Sequence, residues 1–421
     1  MKDEIRELSL QLVLPLMAYQ MDGQCVSKAR LEEIGLDVLT QIKDKQFYQY
    51  LDTKKSIKHY EKYLEKDLTK ISDACIKLLI NMYFLTPNED GYDISEATSQ
   101  SWLSAKGMGL LYRYDDLCLT PFTEALDESH LVMAKNFIEM IGKDKKIHRI
   151  DEVIDLIQKI VTLDPKAYQL RLTGLEMIKK ADVDDLAYCQ LSNKMAYGLL
   201  AVHDEKMLKF AKGIFDELKR KVEDLDEDNE VLSLKAKILS NLGAYYQSRF
   251  KLYKNYEDIA EAVFYHKEAL DMRLALESPA LSNSYLTLAS DYFHAYNESH
   301  DLNHLKTSLD YHEQAYDHLP NKEEGYKNLT RIAGVKIQLC FEDFDEEMVS
   351  SLYDDLTKAQ VLAYAKADRK EIINIKENFK ESLDLFNEHP CPSRLYNKIY
   401  ALARNLDTEN GYLEDLVKKR I

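Results

Sequence analysis

Apolar residues recur every three to four positions along most of the chain from residue 150 onward, which is the spacing of amphipathic helices. The stretches 150–165, 168–180, 185–201 and 205–222 show this spacing, and short polar segments or a proline separate them. Pro165, at the end of the first stretch, is typical of a helix boundary. The pattern predicts consecutive helices joined by short turns, in an array that begins near residue 130.

Two segments of this array repeat each other at an interval of 46 residues. The matching positions are Leu242, Gly243, Tyr246, His266 and Ala269 in the first segment, and Leu288, Ala289, Tyr292, His312 and Ala315 in the second. Pro279 and Pro320 follow the two segments, which predicts that one helical hairpin ends there and the next begins. A weaker third copy starts near Tyr326.

The motif large-x-x-Leu-small-x-x-Tyr in a first helix, with a small residue in the second, resembles the tetratricopeptide repeat. This resemblance implies two antiparallel helices per repeat and a stack of repeats with a concave binding surface. The interval of 46 residues exceeds the ~34 of the usual repeat and is similar to the long repeats of bacterial proteins that carry CHAT-type peptidase domains. We expect a mainly all-α fold: a helical-hairpin solenoid over residues 128–421, with its clearest repeats at 236–281, 282–325 and 326–365.

Residues 1–127 show a different pattern, and we expect them to form a smaller mixed domain. The stretches 26–42 and 53–68 have the spacing of amphipathic helices, whereas 83–94 and 109–120 place turn residues between short apolar segments, as β-hairpins do. A predicted helix at 99–106 precedes the second hairpin. Residues 71–125 therefore resemble the last helix and wing of a winged-helix domain, although no clear helix-turn-helix precedes them.

Composition supports the helical interpretation. The 421 residues include 13 Gly and 8 Pro, well below the usual ~7% and ~5%, and barrels or Gly-rich nucleotide-binding folds need many more turn residues. The 6 cysteines form no CxxC pair, and no stretch reaches the ~18–20 apolar residues of a membrane span. Acidic residues precede the apolar segment 8–17, where a signal peptide would be basic. We expect a soluble, cytoplasmic protein with no membrane partner.

The net charge of −17 lies mostly in the second part of the chain. Residues 1–150 hold 20 Lys and Arg against 24 Asp and Glu, and residues 151–421 hold 36 against 49. A nucleic-acid-binding protein usually gathers a basic surface, so this balance disfavours nucleic acid as a partner. The winged-helix-like stretch 71–125 is the one region for which that partner stays open.

The sequence shows no recognised catalytic motif, since it lacks a Gly-rich phosphate loop, an HExxH helix and a GxSxG elbow. The strongest metal candidate is a histidine-rich stretch in which His300 and His304 stand four residues apart and could share a helix face. His312, however, has a repeat equivalent in His266, and a position that recurs with the repeat is explained more simply by packing between helices. We expect no catalytic residue, no metal site and no cofactor.

The repeat register predicts a polar concave surface, because the first helices of stacked hairpins line the inner side of a solenoid. On these first helices, the positions beside the packing residues should face the concave side. They are Lys237, Gln247, Asn283, His294, Lys327 and Gln338. Amide and basic side chains suit an extended peptide or a partner's helix. We therefore expect a protein or peptide ligand.

Three functions are open at this point. The first is a non-catalytic interaction or scaffold protein whose solenoid binds a protein or peptide. The second is a transcriptional or signalling regulator that joins a winged-helix-like N-terminal output domain to such repeats. The third is an enzyme with an N-terminal active site that carries no recognised motif. The absence of catalytic motifs favours binding over catalysis.

Overall fold

The computed structural model describes residues 27–43, 67–81, 85–87, 91–94, 126–144, 147–387 and 393–406, together with the single residues 8, 65, 123 and 389. Their contacts divide the chain into two compact units, Met1–Val202 and His203–Ile421. The boundary that the sequence predicts at residues 127 and 128 remains a prediction.

The first unit contains six described helices and one β-hairpin. The helices are α1 (Lys28–Lys43), α2 (Leu68–Asn81), α3 (Leu131–Ile141), α4 (Ile150–Leu163), α5 (Leu170–Lys180) and α6 (Asp185–Leu199). Helices α1 and α2 pack together, and α3 to α6 pack mainly against their neighbours in sequence. The apolar face of α4, which the sequence predicts, is buried, and Asp164 caps the short 3-10 helix Pro165–Gln169 that follows it.

The hairpin predicted at 83–94 is confirmed. Strands β1 (Leu85–Pro87) and β2 (Tyr92–Ile94) are antiparallel, with Leu85 opposite Ile94. Leu85 is buried and packs near α2, which precedes the hairpin in the chain. The predicted helix 53–68 lies mostly outside the described residues, and the helix 99–106 and hairpin 109–120 lie wholly outside them. The described part of the winged-helix-like stretch is therefore one helix and one short hairpin.

The second unit is helical throughout its described residues. Its helices are α7 (Glu205–Glu223), α8 (Asn229–Tyr253), α9 (Tyr256–Ala275), α10 (Leu281–Ser299), α11 (Leu302–Asp317), α12 (Tyr326–Glu342), α13 (Glu346–Ala365), α14 (Arg369–Asp384) and α15 (Ser393–Leu406). Helices α8 and α9, α10 and α11, and α12 and α13 form three successive hairpins, each packed on the next. The expected tetratricopeptide-like arrangement of helical hairpins is confirmed.

Local signals start and stop these helices. Asp228, Asn255, Asp301 and Asp345 each precede a helix and accept hydrogen bonds from its first backbone N–H groups. The first helices of two hairpins end in the same way, 46 residues apart: Lys254 and His300 both adopt the left-handed conformation, with φ of 54° at each. This ending usually uses glycine, in which the chain is poor.

The motif residues of the repeat lie in the core or at its edge. Leu242 and Leu288 are fully buried. The motif tyrosines stack on the second helix of their own hairpin: ring centres are 5.6 Å apart between Tyr246 and Tyr265, and 5.7 Å between Tyr292 and Tyr311. Recurring tyrosines of the motif thus fill the seam between paired helices.

Candidate binding groove

A groove of about 520 Å³ lies in the second unit between helices α10, α12 and α14, with one residue contributed by α11. Its polar lining residues are Ser290, His312, Lys327, Thr330, Arg331, Glu371, Asn374, Glu377 and Asn378. Leu286, Phe293, Gly334 and Val335 complete the lining. Its volume is typical of sites that hold small ligands or part of a peptide.

Helical periodicity places these residues on one side of each wall. On α12, Lys327, Arg331 and Gly334 stand at i, i+4 and i+7, while Leu329 and Ile332 point into the core. On α14 the residues 371, 374, 377 and 378 form the equivalent stripe, which runs beside the buried Ile375 and Phe379. Each helix therefore presents a mainly polar face to the groove, with Gly334 and Val335 as the exceptions on α12, and an apolar face to the core.

Asn378 fastens the two walls together. Its Nδ2 atom donates to the backbone carbonyl oxygen of Thr330 on α12 at 2.7 Å. A carboxamide has a second N–H and an oxygen acceptor, so this contact leaves part of the hydrogen-bonding capacity of Asn378 for a ligand. Asn374, one turn earlier, likewise uses Nδ2 to donate to Oε2 of Glu371 at 3.1 Å.

Glu371 is a buried carboxylate in the groove lining. It is 7% exposed, and it lies in the first turn of α14, where the helix dipole favours negative charge. Asp368 caps the same turn by accepting from the backbone N–H of Glu371 at 3.1 Å. Among the described residues, no Lys, Arg or His forms an ion pair with Glu371.

His312 lines the groove from α11 and is 5% exposed. Its Nδ1 atom lies 2.9 Å from Oδ1 of Asn328, whose Nδ2 donates to the backbone oxygen of His312 at 2.7 Å. The Asn328 oxygen accepts, so Nδ1 carries the proton and Nε2 is the ring's acceptor. Burial, reinforced by the charge of Arg331, lowers the pKa of His312 to about 4, so the ring is neutral at pH 7.

Lys327 and Arg331 supply the positive charge of the α12 wall. The Lys327 ammonium lies 3.1 Å from Oδ2 of Asp368, which also accepts from the hydroxyl of Tyr326. The contact with Asp368 raises the pKa of Lys327. The pKa of Asp368 is lowered, first by the backbone N–H of Glu371 and then by Lys327 and Tyr326. Arg331 is exposed, and no described carboxylate forms an ion pair with it. The groove therefore has one neutralised and one solvated cation.

Of the six residues predicted from the repeat register, Lys327 lines this groove and the other five lie elsewhere in the unit. Lys237 and Asn283 are exposed. Nε2 of Gln338 donates to Glu381 at 2.8 Å. The ring of His294 packs near Phe250, and burial lowers its pKa.

Gln247 belongs to a buried network. Its Nε2 atom donates to Oδ1 of Asp291 at 2.9 Å, and Oδ2 of Asp291 lies 2.5 Å from Nδ1 of His266. The other ring nitrogen of His266 lies 3.0 Å from the carbonyl oxygen of Ser240. Both ring nitrogens of His266 therefore face oxygen acceptors. The network joins α8, α9 and α10, which gives Gln247 a structural role.

The sequence analysis did not predict the groove residues of α14, because the repeat motif is no longer recognisable after the third copy. The polar stripe Glu371, Asn374 and Asn378, alternating with Ile375 and Phe379, is a signal that could have found them.

The histidine pair considered for metal binding does not share a helix face. His300 is the left-handed residue that ends α10, and His304 lies in α11 with its Nδ1 atom 3.0 Å from the hydroxyl of Ser299. The part of the chain that the structure describes contains no group of three or more His, Cys, Asp or Glu arranged to hold a metal ion. None of the described helices is both long and apolar enough to span a membrane.

No protein-family model matches the sequence, and no curated protein matches it. Two solved structures show a similar arrangement. Aspartyl phosphate phosphatase F from Bacillus subtilis is 10% identical, with 99% of this chain and 91% of that chain covered and a TM-score of 0.39. The human IFIT1 dimer with PPP-AAAA is 12% identical, with 100% and 93% covered and a TM-score of 0.31. At these values the likeness adds nothing to the fold that the helical hairpins themselves show.

Proposed function

We propose that this protein is a non-catalytic interaction protein whose groove between α10, α12 and α14 binds an extended peptide segment. The observation that carries the proposal is the polar lining of that groove: two asparagines one turn apart on α14, facing a charged and hydroxyl-bearing wall on α12. An extended backbone has alternating N–H and C=O groups that must be satisfied when water is displaced. Asn374 and Asn378 offer both donors and acceptors for them.

The apolar lining residues support a peptide over a small polar ligand. Leu286 and Phe293 lie along α10 and Val335 along α12, so the groove combines hydrogen-bonding groups with surfaces for aliphatic side chains. Binding grooves for peptides use main-chain hydrogen bonds for affinity and side-chain pockets for specificity. The surface around Lys237 and Asn283, which the repeat register turns inward, would extend the same binding face toward α8.

Binding of labelled peptide pools to the full chain tests this proposal. Fluorescence anisotropy would be recorded with degenerate octapeptides, blocked at both ends, against the wild type and the variants Asn374→Leu and Asn378→Leu. We expect saturable binding by the wild type and a loss of about fivefold or more in each variant, since a buried hydrogen bond to a ligand is worth on the order of 1 kcal/mol or more.

A matched control is Lys380→Ala, because Lys380 is exposed on the same helix and does not line the groove. This variant should bind as the wild type does. Equal binding by the wild type and both asparagine variants would place the peptide elsewhere, and the groove would lose its proposed role.

A further inference from the structure

We propose that the groove selects peptides with a basic side chain. This side chain pairs with the carboxylate of Glu371, and the peptide crosses α12 at Gly334, where no side chain covers the backbone of the helix. This inference rests on the proposed peptide-binding function and names the chemistry of the ligand. It is carried by two buried acceptors in the lining, by a helix-interior glycine that packing does not require, and by the charge of the chain.

The first support is Glu371, a carboxylate that is mostly buried and forms no ion pair with a described residue. A carboxylate removed from water needs a cation or several donors in compensation, and an exposed carboxylate does not. Glu371 is 7% exposed, and the side-chain contact it makes is the hydrogen bond from Asn374 at 3.1 Å. The nearby ammonium of Lys327 is bound to Asp368 instead. A ligand cation would supply the missing partner.

The second support is the neutral ring of His312. Its Nδ1 proton is committed to Asn328, which leaves Nε2 as an acceptor on a residue that lines the same groove. No hydrogen bond from a described residue reaches that nitrogen. A guanidinium carries five N–H donors and an ammonium three, so a basic side chain can serve more than one acceptor at once.

The exposed charged residues of the groove have less influence on the preferred charge of the ligand than Glu371 and His312 have. Arg331 on one wall and Glu377 on the other are both exposed, and each is hydrated and screened by salt whether or not a ligand is bound. Their opposite signs also offset each other. A ligand that fills the groove displaces the water that still reaches Glu371 and His312, and protein already shields these two residues far more than Arg331 and Glu377. The acceptors of Glu371 and His312 therefore decide the preferred sign of the ligand.

Gly334 gives independent support for close approach of a ligand. It lies in the interior of α12, where glycine is unfavourable relative to alanine. A Cβ atom there would lie 3.5 Å from Nδ2 of Asn378, an ordinary contact, so the protein's own packing does not demand glycine. Absence of a side chain leaves the backbone open where a bound peptide would cross α12.

The negative net charge of the chain also favours a positively charged ligand. The chain carries −17, and residues 151–421 hold 36 basic against 49 acidic residues. A field of this sign concentrates cationic ligands near the surface and accelerates their encounter. Binding of a basic peptide should accordingly weaken as salt is raised.

The test compares three pools of octapeptides, blocked at both ends and labelled, that differ only at one central residue: Arg, its neutral isostere citrulline, or Glu. Anisotropy titrations of the full chain at low salt should give an affinity for the Arg pool at least about tenfold above that for the citrulline pool. In Glu371→Gln this ratio should fall toward one. In the matched variant Asp310→Asn, which alters an exposed carboxylate on α11 that does not line the groove, the ratio should persist.

The comparison of pools on the wild type stands even if Glu371→Gln fails to fold. Gly334→Ala then gives a second variant: its melting temperature should equal or exceed that of the wild type, and its affinity for the Arg pool should fall. Gly213 on α7 is exposed, and a Cβ atom added there would have no neighbouring atom within 4 Å, so Gly213→Ala is the control that should change no affinity.

The failures are distinguishable. Equal affinity for the Arg and citrulline pools, or a preference for the Glu pool that Arg331→Ala removes, would overturn the basic-ligand inference and leave peptide binding intact. No binding of any pool would overturn the proposed function itself. A wild-type Arg preference that Glu371→Gln retains while folded would overturn the role assigned to Glu371.

Discussion

The imidazole of His266 lies directly against the backbone of Gly243, so that a Cβ atom at Gly243 would stand 2.4 Å from the ring's Nε2 and Cδ2 atoms. The two residues belong to the paired helices α8 and α9. No real Cβ tolerates such a distance, and the ring is held by Asp291 and the Ser240 carbonyl. Glycine at 243 is therefore a requirement of the histidine at 266.

The first prediction concerns this contact. Gly243→Ala should lower the free energy of unfolding by roughly 1–3 kcal/mol, and Gly243→Leu by at least as much, because the ring must move and α8 must separate from α9. Urea denaturation followed by circular dichroism measures the change. Gly213→Ala, at an open position within α7, should instead raise it by about 0.5–1 kcal/mol. An unchanged midpoint for Gly243→Leu would contradict this packing.

The second prediction concerns the buried contact between His266 and Asp291. His266 is 3% exposed and Asp291 is fully buried, so His266→Ala leaves a carboxylate in the core with Gln247 as its remaining partner. Removal of one member of such a pair typically costs about 3–5 kcal/mol. The matched control is the exposed pair Lys194 and Asp155, where Lys194→Ala should cost less than about 1 kcal/mol. Similar losses for both variants in denaturant titrations would contradict the structural role of the network.

The third prediction concerns pH. The pKa of His312 falls from 6.5 to about 4 in the folded protein, so between these values the unfolded state binds more protons. The contribution of His312 to stability is therefore complete above about pH 6.5 and declines as the pH falls toward 4. By linkage this loss is on the order of 3 kcal/mol.

Denaturation of the wild type and of His312→Asn at pH 7 and pH 4.5 isolates that contribution, because other titrating groups affect both proteins. Stability should fall more steeply with acid in the wild type than in the variant. Parallel pH dependence of the two proteins would show that His312 is already solvated, and would also remove the argument that it offers a neutral acceptor in the groove.

The fourth prediction concerns the thiol of Cys340. It is 1% exposed, and burial raises its pKa to about 11. Only the thiolate is nucleophilic, so Cys340 should remain unmodified by iodoacetamide at pH 8 in the folded protein and react fully in urea. Mass spectrometry of the tryptic peptide measures both. Rapid alkylation under native conditions would show that α12 opens far more often than its packing implies.

Local sequence determined much of this protein. The spacing of apolar residues predicts helices, and capping residues and prolines mark their ends; both depend on neighbours within a few positions. The 46-residue interval predicted the pairing of helices into hairpins, because matching residues in successive copies must pack alike. Hence Leu242, Leu288 and the hairpin at 85–94 lie where the sequence places them.

Tertiary structure alone decided which polar residues face a ligand. The repeat register predicts that Gln247 lies on the concave surface. In the structure its side chain donates a hydrogen bond to Asp291, 44 positions away, and so belongs to a buried network. The groove brings together residues from two helices that are not consecutive in sequence: Glu371, Asn374 and Asn378 on α14, and Lys327 and Arg331 on α12. They share one groove because α14 packs directly on α12, although α13 lies between them in the sequence. Whether a polar side chain is satisfied inside the fold or left for a partner depends on atoms distant in sequence, and helical periodicity carries no information about them.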